Sequence, residues 1–354
     1  MKVWLDVLTP KQANLFAELH DRLVAKGCKV LVTTRHYREV NELLDLRKLK
    51  ASKVGRHGGV QLRDKLLESS KRVTLLAEEI VGDYSPDVAV SFSSPEAARV
   101  AFGLGIPHYC VSDSPHAEAV CRLTIPLSEK LFTPWVIPSY AWNRYGVRSR
   151  DIVRYRALDP IVWINSKNDP KSLDELHLDF TKPTVVIRTS EEYAAYLSDR
   201  LAARVTTTMD IVANVLDKSN GELQIVVLPR YDEQRERLRK RFGTRIVVPQ
   251  HVIDGVSLLR MSTVFIGGGG TMSAEAALLG VPVISCYPGD QTFVDKFLVR
   301  YGLMERILDP GRIAHRTIGI SKGRDFREFY QRKSSKLKQT MDDPIRVMLS
   351  RILK

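Results

Sequence analysis

Short runs of β-branched and aliphatic residues alternate along this chain with longer segments whose apolar residues recur at helical spacing, and few folds accept that alternation. Lys2–Leu8 reads as a buried strand. Gln12–Lys26 follows, with Leu15, Phe16, Leu19, Leu23 and Val24 on one helical face, and Gly27 stops it. Lys29–Thr34 is the next strand, and Asp87–Phe92, Pro95–Leu104 and Pro107–Val111 repeat strand, helix, strand. Strands joined through helices pair in parallel and need cover on both faces. The cycle restarts with Thr184–Arg188, a mostly helical Glu191–Leu216, and strands at Gln224–Leu228, Arg245–Val248, Thr263–Ile266 and Pro282–Ser285. Between the two series, Asp159–Pro183 holds three prolines and many polar residues and reads as a linker. The pattern predicts an α/β protein of two Rossmann-like, doubly wound parallel-sheet domains, residues 1–165 and 166–320, facing a cleft. A chain of 354 residues is long enough for both. Ligands of such sheets bind outside the carboxyl ends of the strands.

With 44% hydrophobic and 27% charged residues, long-range disorder, collagen and a disulfide scaffold are excluded. The charge balance is less ordinary. Lys+Arg 54 against Asp+Glu 41 gives +13, and residues 311–354 alone, with 12 Lys/Arg and 4 Asp/Glu, supply +8. A solvated basic surface, a phosphate-bearing substrate, an anionic membrane face and a polyanionic partner all fit that excess. Few aromatic stackers accompany it, which speaks against nucleic acid. Cys28, Cys110, Cys121 and Cys286 are far apart with no C-x-x-C pair, against a zinc site or a disulfide framework. The opening residues carry no secretory pattern and no run of 18 apolar residues occurs, so the expected location is the cytoplasm.

The most informative stretch is Val264–Ser285. A strand ends at Ile266, four glycines follow (Gly267, Gly268, Gly269, Gly270), and a helix starts at Thr271, stops at Gly280 and leads into a strand at Pro282. Bare backbone ahead of a helix N-terminus lets unpaired N–H groups and the helix dipole meet an anion, which makes a phosphate cradle. Glu275, one turn further, is placed to accept hydrogen bonds from sugar hydroxyls of a nucleotide. The plainer alternative is a tight turn with a surface glutamate. Neither G-x-x-x-x-G-K-[ST] nor G-x-G-x-x-G after the first strand is present, so a P-loop NTPase and a dehydrogenase are not expected.

Residues 245–285 resemble the nucleotide-sugar half-site of GT-B glycosyltransferases, in particular the muramyl-lipid N-acetylglucosaminyltransferases, at Gly268–Gly270, Thr271, Glu275, Gly280 and Pro282. That resemblance implies that Glu275 binds the ribose and that the loop Gln250–Asp254, with Val252 and Ile253, caps the base. The segment Pro115–Pro134 resembles the UDP-N-acetylglucosamine 2-epimerases, with Glu118 at their second glutamate, Arg122 at their arginine and His116 in place of their first glutamate. Ser273 and Ala274 replace Gln-Glu of the epimerases' C-terminal motif, while Glu275 remains. Over nearly its whole length the chain is similar to a mainly archaeal family of unknown function described as predicted glycosyltransferases, through Trp4–Pro10, Asp113–Ala119, Val227–Arg230 and the glycine run to Gly289. The GT-B resemblance also implies that the basic helices of 321–354 pack back on the first domain.

Other candidates follow from position. Asp113, His116 and Glu118 lie just past the strand Pro107–Val111. A histidine or a carboxylate of raised pKa there suits the base that sugar transfer needs. Asp113 or Ser114 as a helix cap with Glu118 is the alternative. Arg188 ends one strand and Arg230 follows another, and arginines there suit a diphosphate or, equally, surface ion pairs. Thr9 and Pro10 form the turn after the first strand, where an acceptor or phosphate would dock. His57, with Gly58 and Gly59, stands in a softened loop that suits an acceptor or nothing at all. The charge run Arg235–Arg241 reads as a solvated helix face. Together these residues predict a metal-independent glycosyltransferase that uses a nucleotide-diphosphate sugar as substrate, with no other cofactor and no D-x-D pair for a metal. A lipid-linked acceptor and peripheral contact with an anionic membrane fit the basic tail. A nucleotide-sugar 2-epimerase and a non-catalytic sugar-nucleotide-binding protein are the alternatives.

Overall fold

The computed structural model describes residues 1–59, 61–81, 84–165, 170–189 and 208–353. The apolar runs form strands that pair in parallel throughout, in two sheets. In the first, β1 (Lys2–Asp6), β2 (Lys29–His36), β3 (Ser52–Arg56), β4 (Val88–Ser91), β5 (His108–Val111), β6 (Lys130–Pro134) and β7 (Ile152–Tyr155) lie in the order β3-β2-β1-β4-β5-β6-β7. In the second, β8 (Thr184–Arg188), β9 (Gln224–Leu228), β10 (Val264–Gly267), β11 (Val283–Ser285) and β12 (Met304–Arg306) lie in the order β12-β11-β10-β8-β9. The strand order reverses between β1 and β4 in one sheet and between β8 and β10 in the other. A doubly wound sheet opens its ligand crevice at such a reversal.

Both faces of each sheet are covered, so the central strands carry no solvated residue. Val3, Trp4 and Leu5 of β1 have no exposed surface, and the helix Pro10–Ala25 buries Ala13, Leu15, Phe16, Leu19 and Leu23. In the second sheet Val185, Ile187, Val227, Val264 and Ile266 pack with Ile211, Val212 and Val215 from the helix Thr208–Ser219 and with Ile313 and Ala314 from Pro310–Lys322. The acidic residue of β1 is also buried. Asp6 accepts from Arg72 Nη2 at 2.6 Å and Nη1 at 3.0 Å, from Ser94 Oγ at 2.6 Å and from Thr33 Oγ1 at 2.7 Å. Arg72, on the helix Leu62–Val81, spends its Nε on Val54 O. Burial works against the Asp6 carboxylate, but Arg72 beside it holds its pKa below the usual carboxylate range.

The chain divides into Met1–Trp163 with Asp342–Lys354, and Ile164–Met341. The expected boundary at 320 therefore moves. The helix Arg324–Lys338 belongs to the second unit: Ser334 Oγ donates to Leu278 O, Tyr330 OH donates to Glu305, and Gln331 lies over Gly280. Gly280 ends its helix at φ +76°, and a Cβ there would come within 2.7 Å of the Gln331 Cα. Only the last helix, Pro344–Ile352, returns to the first unit, where Asp343 caps it and pairs with Arg22.

Three further expectations shift. Arg245–Val248 is not a strand: Val247 makes one parallel bridge to Val226, and Pro249 lacks the N–H for the next rung. Asp159–Pro183 is no exposed linker, since Trp163, Ile164, Leu173 and Leu176 are buried. The helix expected over 191–216 is described from Thr208, and its earlier part lies outside the described residues. Strands β3, β6, β7 and β12 were not expected from the sequence.

Candidate functional site

In the second unit the glycine run begins on β10, where Gly267 pairs with Arg188 of β8 on one side and Ser285 of β11 on the other. This is the reversal point of the sheet. A Cβ on Gly267 would lie 2.7 Å from the Phe265 ring and 3.2 Å from Ser273 Oγ, so no side chain fits. Gly269 (φ +88°) and Gly270 (φ +100°) take the left-handed backbone that glycine alone adopts cheaply. The turn then enters the helix Thr271–Leu279, whose N-terminus no side chain caps. Ser273 Oγ, fully buried in its first turn, has no hydrogen-bond partner. Gly270 is exposed and Gly269 half-buried, while Gly267 and Gly268 are buried.

Two residues from other strand ends reach the run. Arg230 Nη2 lies 3.6 Å from the Cβ position of Gly270, and Tyr287 ring carbons lie 3.5–3.6 Å from that of Gly269. Arg230 is anchored: its Nε donates to Thr189 O at 3.1 Å, and its backbone N–H is shared by Thr189 Oγ1 and Gln234 Oε1. Arg188 is used differently. Its Nη1 donates to Pro229 O at 2.9 Å and so braces the turn that carries Arg230. Glu275 is 6% exposed in the second turn of the helix. Thr271 is half-buried at its start. In the loop expected to cap a base, Ile253 is buried and Val252 half-buried. Asp254 caps the next helix through Val256 N and Ser257 Oγ. Tyr287 was missed by sequence reading, although it stands at the end of a strand next to the glycine-bearing one.

The first unit gathers a different set. Lys11, in the first turn after β1, forms ion pairs with Asp113 past β5 and, at 2.5 Å, with Asp159 past β7. Tyr155 OH donates to the other Asp159 oxygen, and the Phe92 ring lies 4.4 Å from the Lys11 ammonium. Burial raises both carboxyl groups. In Asp113 the Lys11 charge, the hydrogen bonds of Lys11 and Ser114 and, more weakly, His116 outweigh it and hold the pKa below the usual range. Asp159, 1% exposed, stays above that range despite Lys11. Asp113 thus stands as an ionised carboxylate in the field of exposed His116. Lys11, Asp159 and Tyr155 were not legible in advance, because Asp159 and Lys11 are joined only by the sheet.

The remaining candidates stand apart. Glu118 and Arg122 pair with each other at 2.8 Å, 58% and 66% exposed, on the seven-residue helix Glu118–Thr124. That is a solvated pair one helical turn apart on the surface. Thr9 is exposed at the N-cap of the helix that Pro10 opens. His57 stacks on Tyr37 with ring centroids 4.9 Å apart and accepts at Nδ1 from Gly59 N at 3.0 Å.

A family model, DUF354, described as a protein of unknown function, matches residues 1–354. The chain belongs to the DUF354 family. An uncharacterized protein of Methanocaldococcus jannaschii is 31% identical over 307 residues, covering 84% of this chain and 85% of that one. Among solved structures, the UDP-GlcNAc 2-epimerase from Neisseria meningitidis bound to UDP-GlcNAc shares 16% identity, 100% coverage of both chains and a TM-score of 0.74. The Methanocaldococcus jannaschii UDP-GlcNAc 2-epimerase in complex with UDP-GlcNAc and UDP shares 15% identity over 100% of this chain and 99% of that one, with a TM-score of 0.72. The spinosyn forosaminyltransferase SpnP shares 16% identity over 100% and 99%, with a TM-score of 0.64. At these identities the likeness shows the fold: DUF354 has the GT-B fold of two parallel-sheet α/β units.

Proposed function

We propose that this protein is a glycosyltransferase that takes a sugar from a nucleotide-diphosphate donor held on the glycine run of the second unit. The observation that carries it is Arg230, anchored through Nε, with its Nη2 against Gly270 at an uncapped helix N-terminus on the sheet's reversal point. A diphosphate meets there a guanidinium, backbone N–H groups and the hydroxyl of Ser273. These would also stabilise the charge that develops on the leaving diphosphate, so no metal is invoked. Glu275 would take the ribose hydroxyls, and Val252 and Ile253 would lie against the base. Solved structures of this fold hold UDP-GlcNAc and UDP.

The acceptor is assigned to the first unit. His116 takes the proton of the acceptor hydroxyl as its oxygen bonds to the sugar carbon and the carbon–phosphate oxygen bond breaks. Asp113, kept ionised by Lys11, stabilises the imidazolium that forms.

Calorimetric titration with UDP and GDP tests the donor site. A dissociation constant weakened about 10–100-fold in Arg230→Ala is expected, since a hydrogen bond to a charged group contributes roughly 1.5–3 kcal/mol. Unchanged affinity, or no affinity for either nucleotide in the parent, would end the donor assignment.

A nucleotide-sugar 2-epimerase is the second reading, favoured by the UDP-GlcNAc-bound epimerases that share the fold. Incubation with UDP-GlcNAc in deuterated water separates the two. A transferase leaves the sugar C2 hydrogen in place. Deuterium at C2 without an acceptor would establish epimerisation. A binding protein without chemistry would show nucleotide affinity and neither product.

A further inference from the structure

Arg35, at the end of β2, makes no hydrogen bond and no ion pair among the described residues, and its Nε is buried without a partner. The acids nearest to it, Glu96 and Asp6, act on it only through their fields. Both face Arg72, whose own charge opposes Arg35. A partly buried cation left without a partner opposes folding, so such a residue calls for an anion that arrives from outside.

What stands around it suits one. His57 follows β3, the neighbour of β2, and feels the charges of Arg35 and Lys65. Burial and then these two cations hold its pKa below the usual histidine range, so the ring is neutral at pH 7. Because Nδ1 accepts from Gly59 N, the ring proton belongs on Nε2, which makes that atom a donor. The loop is held against the helix Leu62–Val81 at Lys65: a Cβ on Gly58 would lie 2.5 Å from the Lys65 Cα. Gly59 takes φ +68°, which tightens the turn around His57. Lys65 is half-buried and has no acidic partner among the described residues. The guanidinium fork, a neutral N–H donor and an ammonium thus come from three successive segments at the carboxyl edge of β2 and β3. No described carboxylate pairs with either Arg35 or Lys65.

We propose that Arg35, His57 and Lys65 form an anion site in the first unit that takes a phosphate ester, separate from the glycine run of the second unit. The site stands whether or not the donor assignment holds. If it does hold, the site selects a phosphate-bearing acceptor.

All four tryptophans, Trp4, Trp135, Trp142 and Trp163, belong to the first unit, so thermal melting followed by their fluorescence reports that unit. Pyrophosphate and inorganic phosphate are the probes, with Arg230→Ala as the background that weakens the other anion site. In that background pyrophosphate at 100 times its dissociation constant is expected to raise the melting midpoint by several degrees. Arg35→Met is expected to abolish the rise while melting no lower than its parent without anion, because a partnerless charge has been removed. Lys65→Ala, at a half-exposed position, should weaken pyrophosphate about 3–10-fold at unchanged fold. An equal rise in Arg35→Met, no rise in the parent, or a lower anion-free midpoint in Arg35→Met would overturn the proposal. The last result would make Arg35 structural.

Discussion

Asp113→Asn is expected to lower sugar transfer about 10²–10⁴-fold, the range that proton transfer by a positioned side chain supplies. Asparagine keeps the shape of the side chain but cannot hold the charge of a protonated His116. The variant should fold, because Lys11 keeps its second partner, Asp159, at 2.5 Å. Donor binding, read by calorimetry, should not move, since the glycine run belongs to the other unit. The pH profile is the sharper readout. Asp113 is held ionised by Lys11, so the parent should lose activity only as acid protonates that carboxylate below its usual range, and this acid limb should be absent in the variant. Full activity in Asp113→Asn would remove the first unit's ion-pair cluster from the chemistry.

Arg72→Met is expected to cost about 3–5 kcal/mol of the first unit's stability at pH 7, the usual penalty for breaking a buried ion pair from one side. Asp6 would be left fully buried with a charge and only the Ser94 and Thr33 hydroxyls to share it. Urea unfolding followed by tryptophan fluorescence measures it. The sign with pH is specific. In the parent, Asp6 has a lowered folded-state pKa, so its contribution is present above the ordinary carboxylate range and is lost as pH falls through the folded value. In the variant the folded-state pKa rises above the unfolded one, so the deficit is largest at neutral pH and shrinks as acid protonates Asp6. A deficit independent of pH would show that Arg72 acts through packing alone.

Much of this was legible in the residues. The alternation of buried strands with amphipathic helices specified two parallel sheets, because strands covered on both faces must be apolar throughout. Gly267–Gly270 read correctly as a turn before a helix, since Gly267 has no room for a Cβ and Gly269 and Gly270 take positive φ. The Arg245–Val248 strand failed on a single proline that cancels one rung. The edge strands β3, β7 and β12 escaped because each is short and only partly buried.

Local pattern along the chain thus determined the fold class, the glycine turn and the cationic excess, all of which depend on near neighbours. Tertiary structure alone decided that Arg188 braces a turn while Arg230 meets Gly270, and that Lys11 joins Asp113 to Asp159. Arg35 likewise gains its meaning from what the fold withholds from it. Charge pairing is chosen by strand order and burial, which bring together residues more than a hundred positions apart, and no spacing rule along one chain encodes that choice.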